Sequence, residues 1–346
     1  MKKLSIVSLF LILFFLPSCL PSAQLSERAI VEAIGIDKTD DRFTVSIAYY
    51  NPDSNNPENS QTSFVKHTAK SISSAISGIN SKISKKLYFG HNNIVVIGEN
   101  AAKNDIRSIL KYFESDPHTK SDICVFVAEN AEEIIAYKDE NSEINPQTML
   151  KITENSLKLG EGCEYKLYKA ISMDRGYDSA FVLPFGKISE EKIFEIVGGC
   201  LFKDANFADL LSKEETRGLQ WYNGNIEDTI IGLENYDIKV KSCETTVKTL
   251  VIKDTPVFKI TISAEIERPI KEIDTIEEEN ILSSANTLIE KEVIKVINRA
   301  FTKENCDIFG FYERLSNKFP KFLETNTNGY EKNTADIEVI ANCRFD

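Results

Sequence analysis

YDIKVKSCETTVKTLVIKDTPVFKITISAEIERPIKEIDTIEEENILSSANTLIEKEVIKVINRAF, residues 236–301, changes period part-way along. Residues 238–242, 245–252 and 256–265 alternate apolar and polar side chains, the period of two that predicts strands with one wet face. Polar turns separate them. From residue 272 the step becomes helical. Ile281, Leu282, Leu288, Ile289, Val293, Ile297 and Ala300 line one face and predict a single long helix over 272–301. A second helix is predicted over about 309–319, and ADIEVIANCRF, 335–345, closes the chain as a strand. Strands, then helices, then a strand imply a C-terminal α+β domain of antiparallel strands packed on long helices.

Upstream, strand and helix patterns alternate instead. RAIVEAIGI (28–36) and FTVSIAYY (43–50) read as strands around a polar turn at 37–41, and 51–61 reads as a projecting loop. Ile72, Ile76, Ile79 and Ile83 mark a helix over about 68–86. NIVVIG (93–98) and ICVFVA (123–128) are apolar strands, with helices predicted at 101–114 and 132–138. That alternation implies an α/β layer. The middle is less regular: a helix at 146–159, an apolar piece at 181–184, and strand character over 192–203 interrupted by Gly198-Gly199. The expected class is α+β, a multidomain mixed α/β body. Its expected parts are a leader 1–18, a tether 19–27, an N-terminal α/β domain 28–140, a middle domain 141–235 and a C-terminal α+β domain 236–346.

At the amino end Lys2-Lys3 precedes an apolar run from Leu4 to Leu16, and Pro17-Ser18-Cys19 follows at once. Positive charge, apolar run and small residue form the order of a secretory signal. The run is shorter than the roughly 20 residues a membrane helix needs. Leu16-Pro17-Ser18-Cys19 resembles a bacterial lipobox, which implies lipid on the Cys19 thiol and cleavage on its amino side. Two acyl chains would anchor stably where one does so only marginally.

The chain carries a net charge of −12, and losing Lys2 and Lys3 with the leader makes it −14. Such a body repels phosphodiesters and anionic headgroups, and nucleic acid is not expected as a partner. Cys124, Cys163, Cys200, Cys243, Cys306 and Cys343 are widely spaced. Disulfides are permitted in an exported chain, but the apolar neighbours of Cys124 and Cys200 fit buried thiols better. His67, His91 and His118 form no metal spacing, and no Walker, G-x-S-x-G, G-x-G-x-x-G or EF-hand signature occurs. Neither an enzyme nor a cofactor is expected.

Ser212-Lys213-Glu214-Glu215 satisfies the capping-box pattern, Ser212 with Glu215 three later, and Gly218 is read as closing that turn in a left-handed conformation. Arg217 has two readings, an internal ion pair or an exposed contact for a partner. Several segments together resemble the Ger(x)C family, the lipoprotein C subunits of spore germinant receptors. They are Ile34-Gly35-Ile36-Asp37, Leu87-Tyr88-Phe89-Gly90-His91 running into Val95-Val96-Ile97-Gly98-Glu99, Ser212 through Gly218, and Asp307-Ile308-Phe309-Gly310-Phe311. The chain departs from the family at Leu20-Pro21 and at Phe322.

The resemblance implies a non-catalytic lipoprotein on the outer face of the spore inner membrane, assembled with integral membrane A and B subunits that sense small germinants. It leaves open which subunit binds the germinant. Ser212, Glu215, Arg217, Gly218 and Asp307 are the structural or interaction candidates, and Cys19 the lipid site. The competing class is a solute-binding lipoprotein of a transporter, which would show two similar α/β lobes about a hinge.

Overall fold

The computed structural model describes residues 27–52, 61–136, 145–174, 179–234, 236–269, 274–325 and 335–346. β1 (Arg28–Thr39) and β2 (Arg42–Asn51) form an antiparallel hairpin whose turn holds Asp40 at φ 50°. β3 (Gln61–Ala69) adds to β2 as the sheet edge. On the other side of β1 the pairing is parallel. β4 (Lys86–Tyr88) lies beside its start, β5 (Ile94–Gly98) beside its middle, and β6 (Cys124–Ala128) joins β5. β7 (Ala180–Ile188) continues the parallel run through the pair Val127 and Phe185, and β8 (Phe194–Lys203) and β9 (Asn206–Leu211) finish the sheet as antiparallel neighbours.

Every residue of β5 and β6 is buried, which is why both read as unbroken apolar runs. Two helical layers do the burying. α1 (Ile72–Asn80), α2 (Glu99–Ser115) and α5 (Leu167–Asp174) cover one face, placing Ile76, Ile109 and Leu167 against Val95 and Val125. α3 (Ala131–Ala136) and α4 (Pro146–Lys158) cover the other, placing Ile134 and Met149 against Val96 and Phe126. The segment expected as a middle domain thus sends β7, β8 and β9 into this first sheet.

After β9 comes α6 (Lys213–Asn223), then a second sheet in the order β10 (Glu227–Gly232), β11 (Asp237–Ile252), β12 (Thr255–Ile266) and β13 (Asp336–Phe345). The β11–β12 hairpin turns through Lys253 and Asp254, both at positive φ, as a two-residue turn between twisted strands requires. The antiparallel pattern stops there. β13 runs parallel to β12, so the chain crosses over between them through α7 (Thr275–Val296), a π-helical turn Ile297–Lys303, α8 (Phe311–Lys318) and α9 (Pro320–Thr325). Ile281, Ala285, Ile289 and Val293 of α7 bury against Ile260 and Ile262. At the open edge of β13, the Ala341 and Cys343 N–H groups donate to Glu290 (2.9 Å) and Asn286 (2.7 Å) of α7. Those side chains cap groups that would otherwise invite another strand.

The predicted break between 238–242 and 245–252 is a register shift between Val240 and Ser242 inside one continuous strand. Sequence reasoning did not find β3, β9 or β10. Each lies at the end of a sheet, where one side of the backbone stays solvated and less apolar pattern is required.

Candidate functional site

The capping box at Ser212 forms. The Ser212 hydroxyl accepts from the Glu215 N–H (3.2 Å) while the Glu215 carboxylate accepts from the Ser212 N–H (2.8 Å), starting α6. Gly218 does not end that turn. It sits inside α6, which runs on to Gly224, the residue held left-handed at φ 69°. Gly218 is needed for a different reason: a Cβ there would lie 2.2 Å from the Glu292 carbonyl oxygen of α7. Absence of a side chain lets the two helices touch.

That contact sets up a charged node. The Arg217 guanidinium donates to both carboxylate oxygens of Glu292, through Nε at 2.9 Å and through its terminal nitrogen. The indole N–H of Trp221 donates to the same carboxylate at 2.9 Å. The Glu292 side chain is 7% exposed and that of Arg217 26%, so the acid is buried and the base reaches water. Hydrogen bonding to Glu292 raises the Arg217 pKa above its ordinary value against the pull of burial. Close by, Arg299 pairs with Asp209 of β9, Lys295 with Glu214, and the Thr229 hydroxyl donates to the Leu159 carbonyl (3.0 Å). α6 therefore joins the two sheets.

Asp307 starts α8. Its two carboxylate oxygens accept from the N–H groups of Phe311 (3.0 Å) and Tyr312 (2.7 Å), next to Gly310 at φ 68°. This fixes Phe311 among Tyr222, Phe258, Phe301 and Phe309. The Tyr222 hydroxyl donates to the Phe309 carbonyl (2.6 Å), and burial pushes its pKa up to about 12.

The first sheet has its own node at Asp37. Its carboxylate accepts from the N–H groups of Ala131 and Glu132, each at 2.8 Å, so the end of β1 caps α3 across the sheet. A Cβ on Gly98 would sit 2.0 Å from the Asp37 oxygen, which requires glycine there. Burial, with the negative charges of Glu132 and Glu133, raises the Asp37 pKa above its ordinary value despite the two hydrogen bonds that lower it. Asp37→Ala is expected to cost about 0.5–2 kcal/mol, the range for losing a helix cap, read by denaturant unfolding. The sign with pH follows. A carboxyl whose folded pKa is raised contributes its stability below the unfolded pKa and loses it as pH rises through the folded one. The parent's advantage over Asp37→Ala should therefore shrink as pH rises through the carboxylate range. An advantage that grows with pH would contradict this account.

The histidines stay apart: His67 lies on β3 against Gly78, His91 in a single 3₁₀ turn, and His118 in the loop after α2. Among the described residues no group of acids, histidines or cysteines could hold a metal ion. Cys124, Cys163, Cys200, Cys243, Cys306 and Cys343 are free thiols, and burial raises the pKa of Cys124, Cys163 and Cys200. Cys19 lies outside the described residues, among which no helix is long and apolar enough to cross a membrane. Glu292 and Trp221 escaped sequence reasoning. Glu292 reads as one more acid on an acid-rich helix, and the lone tryptophan carries no spacing signal.

Comparison with known proteins agrees with this architecture. The family described as "Spore germination protein N-terminal domain" matches residues 21–188, and "Spore germination B3/GerAC like, C-terminal" matches residues 197–345. The chain is 22% identical to "Spore germination protein KC" of Bacillus subtilis (strain 168), over 96% of this chain and 91% of that protein. Its fold is similar to that in the crystal structure of the GerBC protein, with a TM-score of 0.61 at 16% identity, covering 90% of this chain and 96% of the other. With the N-terminal and C-terminal domains matched in order along the chain, the chain belongs to the Ger(x)C family of spore germinant receptor C subunits.

Proposed function

We propose that this chain is the non-catalytic, lipid-anchored C subunit of a germinant receptor. Cys19 holds it on the outer face of the spore inner membrane, and it assembles there with the integral membrane A and B subunits. The observation that carries the reading is the order of the matches. Two spore germination domains fill residues 21–188 and 197–345, directly after an apolar leader, 1–18, that is followed by Cys19. The use of the acids supports a scaffold. Asp37, Glu292 and Asp307 each accept two or more internal hydrogen bonds, so these carboxylates are occupied in holding elements together. The two unlike sheets also differ from the paired lobes of a solute-binding lipoprotein.

Affinity capture of the chain from detergent-solubilised spore membranes tests this. The expected result is co-purification of two integral membrane subunits in fixed ratio. A saturable rise in melting temperature with a germinant, together with capture of a transport permease, would favour the solute-binding class, since a ligand bound by the native state raises its stability by mass action.

A further inference from the structure

A cavity of about 470 Å³ opens where β1 begins, lined by Glu27, Arg28, Lys86, Tyr88, Phe89 and His118. Arg28 and Lys86 are register partners on β1 and β4, so two cations stand side by side. Like charges in register on neighbouring strands destabilise a sheet. Neither cation forms an ion pair among the described residues, although the chain carries a surplus of twelve negative charges. Arg28 is instead held with its guanidinium 4.7 Å from the centre of the Tyr88 ring. Glu27 at the rim is the acid that lines the cavity, and it is exposed. A pair of cations kept together in an acidic protein, backed by an aromatic ring, suits an anion from outside.

The position says which anion. β1, β5 and β6 run parallel, so their first residues share one end of the sheet. The loop carrying His118 leads into β6 at that same end, and the start of α5 is fastened there by N–H donation from Leu167 to Ile123 (2.9 Å) and from Tyr168 to Ser121 (3.0 Å). α5 presents Tyr168 at 46% exposure beside a second hollow of about 390 Å³ lined also by Phe113, Ile171 and the single acid Glu114. Apolar side chains and cations thus share one end. Residues 20–26 connect Cys19 to it, and eight extended steps span at most about 30 Å. Fields from the acidic remainder decay over about 10 Å at 0.1 M salt, so this end meets a membrane surface largely on its own charge.

We propose that the Arg28–Lys86–Tyr88 cavity binds the phosphate of an anionic lipid headgroup, seating the first sheet end-on against the membrane to which Cys19 leads. The orientation rests on the lipid-anchor reading. The binding does not, and the test separates them. Every described element lies within residues 27–346, so the chain from residue 20 onward contains all of them without the anchor. Its partitioning is measured by co-sedimentation with phosphatidylcholine vesicles and with vesicles containing phosphatidylglycerol.

The anionic vesicles are expected to retain at least about tenfold more protein, with retention falling as salt rises, from two cations near a charged surface. Arg28→Glu with Lys86→Glu should abolish the difference while the melting temperature stays at the parent's. Arg28→Gln with Lys86→Gln, which adds no negative charge, should reduce it by a smaller factor. Equal partitioning to both vesicles, retention unchanged by charge reversal, or loss of retention in millimolar inorganic phosphate would each overturn the proposal, the last by assigning the cavity to a soluble anion. None of these outcomes bears on Cys19, which the tested chain lacks.

Discussion

Arg217→Ala is expected to lower the unfolding free energy by about 3–5 kcal/mol, the range for removing one partner of a buried ion pair. The reason is the asymmetry of the node. Removing the base strands Glu292, 7% exposed, with the Trp221 N–H as its remaining side-chain donor. Removing the acid is milder. Glu292→Gln keeps an acceptor for Trp221 and leaves Arg217, 26% exposed, able to turn towards water. Arg217→Ala should therefore cost more than Glu292→Gln, and the double variant should recover part of the single loss. Trp221 is the chain's sole tryptophan, so its fluorescence reports on this junction during a urea titration. If Arg217→Ala unfolds with the parent's midpoint yet fails to join the receptor, the segment is an interface for another subunit and the account of α6 as the joint between sheets is wrong.

The backbone contact underneath makes the same point from another side. At Gly218 the added methyl of even an alanine would meet the α7 carbonyl. The helices must then part, taking the Arg217 and Glu292 side chains out of register. Helix approach and ion pair are one device, since neither geometry survives displacement of the other.

How much of this was legible follows from where each signal resides. The buried strands β5 and β6 and the stripe of α7 are written in periodicity, because burial on both faces or on one stripe fixes which side chains are tolerated. The edge strands β3, β9 and β10 are not, since a half-solvated backbone imposes little apolar pattern on its residues. Ser212 and Glu215 were readable because a capping box is local, closing over three residues. Arg217 was readable only as an alternative: its partner lies 75 residues away, and nothing in a single sequence pairs positions so distant. Gly218 shows the opposite error. Glycine after a capped turn suggests a left-handed stop, yet what it satisfies is a contact with another helix. Asp37 and Gly98 are alike in this respect, a carboxylate and a missing side chain that explain each other only once β1, β5 and α3 are brought together.

Cys19→Ala is expected to move most of the protein from the membrane to the soluble fraction and to impair the germination response. The leader's apolar run, residues 4–16, is too short for a span of roughly 20 residues and ends at Pro17. Each buried methylene of an acyl chain contributes about 0.8 kcal/mol, and a single chain gives only marginal, reversible binding. Two chains on one thiol therefore dominate any attachment that surface contacts supply. Retention by Arg28 and Lys86 alone would be electrostatic and would wash off in high salt, whereas retention by acyl chains would not. Fractionation of parent and variant in low and high salt separates the two contributions, and the mass of the amino-terminal peptide shows whether lipid is present. If the variant stays on the membrane through a high-salt wash with the same amino-terminal mass shift as the parent, the attachment lies elsewhere in the chain and Cys19 carries no lipid.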